Sequence, residues 1–240
     1  MTLNKSKCKF RQELVEFLGF MISKDGICPK EERLLAIKKF PTPSHITELR
    51  RFMGMAQQLS KFTTKLAEVS EPLRGLMSTK NAWLWTAEHQ LAFEATKELL
   101  CSPQVLAIYD VKKETIVRTD ASKLHGISII DQQNEGVWKP VDCASRYLSP
   151  AEKGYAPIEL EMLAVSWGLK RMSLYLYGLP NFQLETDHNP LVPIINSKSL
   201  IDMSPRILRI RLRTLQYSFD ARHVPGKSLV DADSLSRAPV

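Results

Sequence analysis

The apolar positions along this 240-residue chain change rhythm twice, near Pro29 and near Pro103. Before Pro29, Val15 to Ile22 is an apolar run and Lys24-Asp25-Gly26 is a turn signal, which predicts extended structure folded into a short hairpin. Beyond Pro29 the spacing becomes helical. Glu31 to Phe40 places Leu34, Leu35 and Ile37 inward and ends on Lys38 and Lys39, where cations suit the helix dipole. Pro41-Thr42-Pro43-Ser44 stops that helix, and Ser44 or Thr47 can cap the next. Its stripe is Ile46, Leu49, Phe52, Met53, Ala56 and Leu59. Two more helices are predicted over about Leu66 to Met77 and Ala87 to Leu100, so residues 29–102 read as a small helical bundle.

After Ser102-Pro103 strand signals take over. β-branched runs at Glu114 to Thr119 and Ile127 to Ile130 flank a turn, and a third strand is expected near Lys139 to Ala144. A long helix is expected from about Pro150 to Tyr175. Then come a strand at Phe182 to Thr186, a helix after Pro205, a strand near Tyr217 to Arg222 and a short last helix from Leu229. Three antiparallel strands, a helix and then alternating strands and helices predict an α/β fold: a mixed five-stranded sheet covered on both faces over residues 103–238.

Composition narrows the class. With 44% hydrophobic and 25% charged residues the chain reads as an ordinary globular protein. No stretch approaches the roughly 18 apolar residues of a membrane span, and no apolar run follows Lys5, Lys7 and Lys9 to make a signal peptide. The expectation is an intracellular protein with no membrane partner, cytoplasm and nucleus being indistinguishable. Cys8, Cys28, Cys101 and Cys143 are scattered without a C-x-x-C pair, which suits four reduced thiols. The formal net charge of +7 is uneven: residues 30–80 hold ten Lys/Arg against five Asp/Glu, whereas residues 103–240 hold seventeen against fifteen. A basic segment suits phosphate contact, and a solvated lysine-rich surface would give the same count.

Four acids stand in unlike settings: Asp120 at a strand end, Glu161 inside the long helix, Asp187 at the end of the later strand and Asp233 in the last helix. On a helix Glu161 shares a face with Ile158, Val165, Leu169 and Met172, whereas Glu159 lies about 200° round toward water or substrate. A carboxylate in an apolar stripe is costly unless it is paired or binds a metal. Taken singly, Asp120 and Asp187 also fit turn residues and Asp233 a surface helix position. Should parallel central strands set 120 beside 187 and helices bring 161 and 233 over that edge, the four would repel one another without cations. Two Mg²⁺ ions, with Mn²⁺ the alternative, would neutralise the cluster and support phosphodiester hydrolysis.

The ordered set Thr119-Asp120-Ala121-Ser122, Ala144-Ser145-Arg146 with Leu148, Tyr155 ahead of the Glu159-x-Glu161-x-Leu163-Ala164-Val165 helix, Thr186-Asp187-His188, and His223-Val224-Pro225-Gly226-Lys227 before Ala232-Asp233-x-Leu235-Ser236-Arg237 resembles ribonuclease H domains of gypsy-type long-terminal-repeat retrotransposons. Upstream, Lys7-Cys8-x-Phe10, Phe17-Leu18-Gly19, Glu48-Leu49-Arg50, Phe52-x-Gly54, Trp85-Thr86 and Ala92-Phe93 are similar to the palm end and thumb of the reverse transcriptase in the same polyprotein. The resemblance implies three units: residues 1–28 as the end of the palm with a primer-grip-like hairpin, 29–102 as a thumb-like bundle and 103–238 as a ribonuclease H-like domain. It implies Asp120, Glu161, Asp187 and Asp233 as metal ligands and catalytic acids, and His223 as an aid to product release, although a structural role before the Pro225-Gly226 turn suits His223 equally. Phe17 and Gly19 would fall in the primer-gripping hairpin. The implied partners are an RNA–DNA hybrid and the remaining Pol domains.

Arg206, Arg209 and Arg213, with Arg211 between them, would give one helix a cationic face for phosphates, joined by Lys227; a merely solvated helix has the same pattern. Two departures bear on activity. The chain has no Asp-Asp dipeptide, so polymerisation is not expected of it, and His125-Gly126-Ile127-Ser128 replaces the family's Gly-x-Gly passage after Asp120, where Ile127 could crowd the site. Two readings therefore stand: a metal-dependent endonuclease acting on the RNA strand of hybrids, and a catalytically inactive nucleic-acid-binding remnant.

Overall fold

The structure, a computed structural model, describes residues 10–226 apart from Gln104, Lys123 and Glu135. At the start, β1 (Leu14–Phe17), β2 (Phe20–Ser23) and β3 (Gly26–Pro29) form an antiparallel sheet, one strand more than the expected hairpin. Leu18 and Gly19 both take positive φ, 51° and 76°, in the two-residue turn between β1 and β2, the twist that suits a tight hairpin. Arg33 donates to the Leu18 carbonyl at 2.9 Å and steadies that turn.

Five helices follow. They are α1 (Glu31–Lys38), α2 (Ile46–Gln58), α3 (Leu66–Val69), α4 (Glu71–Leu76) and α5 (Ala87–Cys101), with a 3-10 turn at Ser60–Phe62. The helix expected over Leu66 to Met77 is thus two pieces. Pro72, without an N–H, opens α4 and cannot continue α3. The start of α2 is also not capped as expected: His45 occupies the cap position, and Glu48 reaches back to accept from the Ser44 amide and hydroxyl at 2.8 and 2.9 Å. Leu49, Phe52, Phe62, Leu73, Phe93 and Leu106 gather into one buried cluster under these helices.

The second sheet has the order β6-β5-β4-β7-β8, from β4 (Thr115–Ala121), β5 (His125–Asn134), β6 (Val137–Tyr147), β7 (Phe182–Thr186) and β8 (Phe219–His223). The first three strands pair antiparallel, and β7 joins β4, and β8 joins β7, in parallel. This is the mixed five-stranded sheet the alternation predicts. The long helix is shorter than expected: α6 spans Pro157–Arg171, with Pro157 in the first turn, where a missing N–H costs nothing. After Met172 the chain turns into α7 (Ser173–Leu176). α8 (Leu191–Asn196) was not foreseen, because Pro190 and Pro193 mask its pattern. α9 (Pro205–Leu212) is where a helix was expected. The last helix from Leu229 lies outside the described residues.

A second buried cluster joins this sheet to α6, α8 and α9 through Val117, Ile130, Val165, Leu169, Leu184 and Ile195. The edge strand β6 is closed off by the first helices, which protects a row of backbone groups that would otherwise invite pairing. The Ala67 amide donates to Ser145 Oγ at 3.3 Å, Ser70 Oγ shares a 2.6 Å hydrogen bond with Tyr147, and Arg74 stacks on the Tyr147 ring. Across the sheet, Arg118, Glu185 and Arg222 occupy one rung of β4, β7 and β8. Arg118 bridges the buried Asp131 and Glu185, and Arg222 adds a second cation on Glu185.

How closely α6 lies on the sheet depends on Gly168. A Cβ there would meet Ser128 Oγ at 2.6 Å and Thr119 Cγ2 at 3.3 Å, whereas one on Gly75 in α4 would meet nothing within 4 Å. Gly168→Ala is expected to cost about 1–3 kcal/mol by overpacking, and Gly75→Ala to add about 0.5–1 kcal/mol by helix propensity. Urea unfolding of the two variants checks the opposite signs.

Candidate metal centre

The parallel pairing of β4 and β7 brings two acids to one edge. The register sets Ile116 against Gln183, Val117 against Leu184 and Arg118 against Glu185. Continuing it by two residues puts Asp120, near the end of β4, beside Asp187, the first residue past β7. Glu161, in the second turn of α6, descends on the same place. Asp120 is half-buried, Asp187 is exposed and Glu161 is 7% exposed. One carboxylate oxygen from each lies within 4.8 Å of the other two. Glu161 thus faces the sheet, as its apolar stripe requires.

Electrostatics follow from that geometry. Burial, then the charges of Asp120 and Asp187, push the Glu161 carboxyl up to about 8, against a weaker downward pull from the Ala121 amide. Burial and the Asp187 charge raise Asp120 as well, with the Ala121 amide and His125 opposing. Glu161 Oε2 is buried with no hydrogen-bond partner. An anionic oxygen in that position is costly unless a cation meets it. Three hard oxygen donors with a buried, unsatisfied ligand atom fit a divalent ion such as Mg²⁺ or Mn²⁺.

Asp233 and Lys227 lie outside the described residues. His223 is the last residue of β8, opposite Thr186, and its Nε2 lies 3.1 Å from the carbonyl oxygen of Asp187. Gly226 passes so close that a Cβ there would sit 2.9 Å from Asp187 Oδ2. Ile127 pairs with Asp120 in unbroken register, and the irregularity in β5 falls between Ile130 and Asp131, so this residue leaves the hairpin beside Asp120 undistorted.

The arginines of α9 do not form one free cationic face. Arg206 is bound to Glu159 at 2.8 Å and lies over Tyr155, and Glu159 also accepts from the Ala156 amide at the start of α6. Arg209 is exposed and back-bonds to Pro205. Arg211 is tied to Ile195 and Thr214. Arg213 lies in a groove between α6 and α9. Phe17, 59% exposed, and Gly19 are at the tip of the first sheet, away from the acids in sequence and in sheet. His125, which the sequence marks only as part of the His125-Gly126-Ile127-Ser128 departure, lies on the Asp120 side of the hairpin and opposes the rise of that carboxyl.

Residues 85–184 match the family described as the RNase H-like domain found in reverse transcriptase. The whole chain is 32% identical to the retrovirus-related Pol polyprotein from transposon opus of Drosophila melanogaster, covering 25% of it, and 99% of the chain is 32% identical to the transposon Tf2-3 polyprotein of Schizosaccharomyces pombe, covering 18%. The chain therefore spans a quarter or less of the length of these relatives. Among solved structures, a foamy viral protease-reverse transcriptase in complex with RNA/DNA hybrid aligns over 98% of this chain and 32% of its own, with a TM-score of 0.74 at 22% identity. The same enzyme in complex with dsDNA aligns over 90% of this chain and 45% of its own, with a TM-score of 0.71 at 22% identity. The class that fold and site define is the RNase H-like fold of reverse transcriptases. The chain is similar over its whole length to retroelement Pol polyproteins, and it carries an RNase H-like domain of the reverse-transcriptase kind.

A carboxyl whose folded-state pKa is raised binds more protons when folded, so its contribution to stability falls as pH climbs from the ordinary glutamate range toward 8. Metal-free protein is expected to lose roughly 2–4 kcal/mol between pH 5 and 8 from this source. Glu161→Gln should flatten that slope. Denaturant titrations in chelator across the pH range measure it.

Proposed function

We propose that this chain is a divalent-metal-dependent ribonuclease H, cutting the RNA strand of RNA–DNA hybrids as one part of a retroelement Pol polyprotein. The observation that carries this reading is the buried, unpartnered Glu161 oxygen held against Asp120 and Asp187. Asp120, Glu161 and Asp187, joined by Asp233, would hold two Mg²⁺ ions, with Mn²⁺ the alternative. Bound there, such ions supply an activated water and offset charge on the scissile phosphate.

The chain's own residues have three tasks. Glu161, dehydrated under α6, holds its proton until a cation displaces it, so the site is assembled by binding. Arg206, fixed by Glu159 beside the first turn of α6, and the exposed Arg209 offer donors to a phosphate backbone near the acids, and Lys227 extends that role. His223, whose Nε2 lies at the Asp187 carbonyl, would aid release of product there.

Residues 29–102 serve as the thumb-like unit that cradles the hybrid, and residues 1–28, with Phe17 and Gly19, as the palm-end hairpin. Residues 103–238 form the ribonuclease H-like unit. The hybrid as substrate is supported by the foamy viral relative in fold, which was solved with an RNA/DNA hybrid. The intact Pol polyprotein supplies the remaining partners.

Two measurements test the proposal. Asp120→Asn and Asp187→Asn should each lower Mg²⁺-dependent cleavage of a labelled hybrid on the order of 10³-fold, several kcal/mol of transition-state stabilisation, while leaving hybrid affinity in chelator nearly unchanged. A well-folded wild-type chain that binds hybrid and never cuts it would favour the inactive remnant instead. In calorimetry at pH 7, Mg²⁺ binding should release about one proton, and Glu161→Gln should abolish that release.

A further inference from the structure

Two cavities on the outer side of α6 meet at one pair of residues. The first, about 270 Å³, lies between the early helices and the end of β6; the second, about 840 Å³, lies between α6 and α9. Arg146 and Trp167 line both, so the two adjoin across this pair and together make a groove. On α6 its wall is the stripe Leu163, Ser166, Trp167 and Lys170, spaced i, i+3, i+4 and i+7, nearly opposite Glu161. The groove is therefore separate from the acidic cluster. Its starting point, the β6 rung at Ser145, is joined to Asp120 through Ile127, about 10 Å across two strand spacings.

The chemistry of the groove has one sign. Its charged lining comprises four cations, Arg146, Lys170, Arg171 and Arg213, against the single carboxylate Glu152. That carboxylate is already used: it takes both Arg146 Nη atoms at 2.9 Å and holds the guanidinium 5.6 Å from the centre of the half-buried Trp167 ring. A fixed aromatic and guanidinium pair offers planes for base stacking, and flanking cations offer charge for phosphates. A duplex hides its base faces, so only an unpaired strand can use both.

We propose that this groove is a binding track for single-stranded nucleic acid, separate from the metal centre. Its test uses the full chain in chelator, with fluorescence anisotropy of labelled dT20, rU20 and a 20-base-pair RNA–DNA hybrid, so it does not depend on whether the chain cuts hybrids. Lys170→Glu with Arg213→Glu should weaken binding of both single strands at least tenfold. It should also reduce the slope of log affinity against log salt by about 1.4, two released phosphate contacts. Trp167→Leu should weaken them about tenfold through lost stacking and leave that slope unchanged. Circular dichroism melts within a few degrees of wild type show that the variants fold. Comparable losses for dT20 and rU20 mean that both sugars are accepted, and a loss confined to one assigns the track to that polymer. The proposal is overturned if the variants bind single strands like wild type, if hybrid binding falls by the same factor, or if poly-glutamate of equal charge displaces dT20 equally well.

Discussion

Like charges kept close together in a partly dry pocket are what the rest of this structure has to support. Three carboxylates with ligand oxygens inside 4.8 Å repel one another, and one of them is 7% exposed. Left to themselves they would move apart or protonate. They are held by elements that cannot easily relax: the parallel rungs between β4 and β7 fix Asp120 and Asp187, and the approach of α6 at Gly168 fixes the height of Glu161. The apolar cluster of Val117, Val165, Leu169 and Leu184 supplies the burial that keeps those elements in place. The raised Glu161 carboxyl is the visible sign of that opposition, and a divalent cation is the simplest way to relieve it.

Much of this was legible from the residues. The strand at Phe182–Thr186 matches its predicted bounds, where Phe182 and Leu184 alternate with Gln183 and Glu185 before Asp187-His188. Glu161 was placed on the sheet-facing side of its helix from periodicity alone, and Glu159 on the other. Failures came where one residue outweighed the local pattern. Pro72 split a helix, Pro157 delayed another, and Pro190 and Pro193 hid α8 altogether. Periodicity cannot report partners distant in sequence, so the ion pair of Arg206 with Glu159, 47 residues away, leaves no trace in the pattern. The closeness of His125 to Asp120 comes from the tight turn between β4 and β5, whose conformation the apolar rhythm does not report.

The two buried clusters also explain why the early helices matter to a site they do not contain. The 3-10 turn at Ser60–Phe62 and α3 cover the free edge of β6, and Ser70, Arg74 and Ala67 bind its last residues. Those residues are paired through β5 to the strand that carries Asp120. Contacts on one side of the molecule therefore bear on the acids through three hydrogen-bonded strands, and the same strand end opens the groove that runs along α6. A nucleic acid held by the helices and one held at the acids would be set in fixed relation by the sheet between them.

The central claim, that the gathered acids are a divalent-metal site, is tested most directly by anomalous diffraction from crystals soaked in Mn²⁺. The account predicts manganese peaks about 2.1–2.2 Å from carboxylate oxygens of Asp120, Glu161 and Asp187, with Glu161 Oε2 among them. Crystals that take up manganese elsewhere and leave these three side chains without an anomalous peak at millimolar concentration would contradict it.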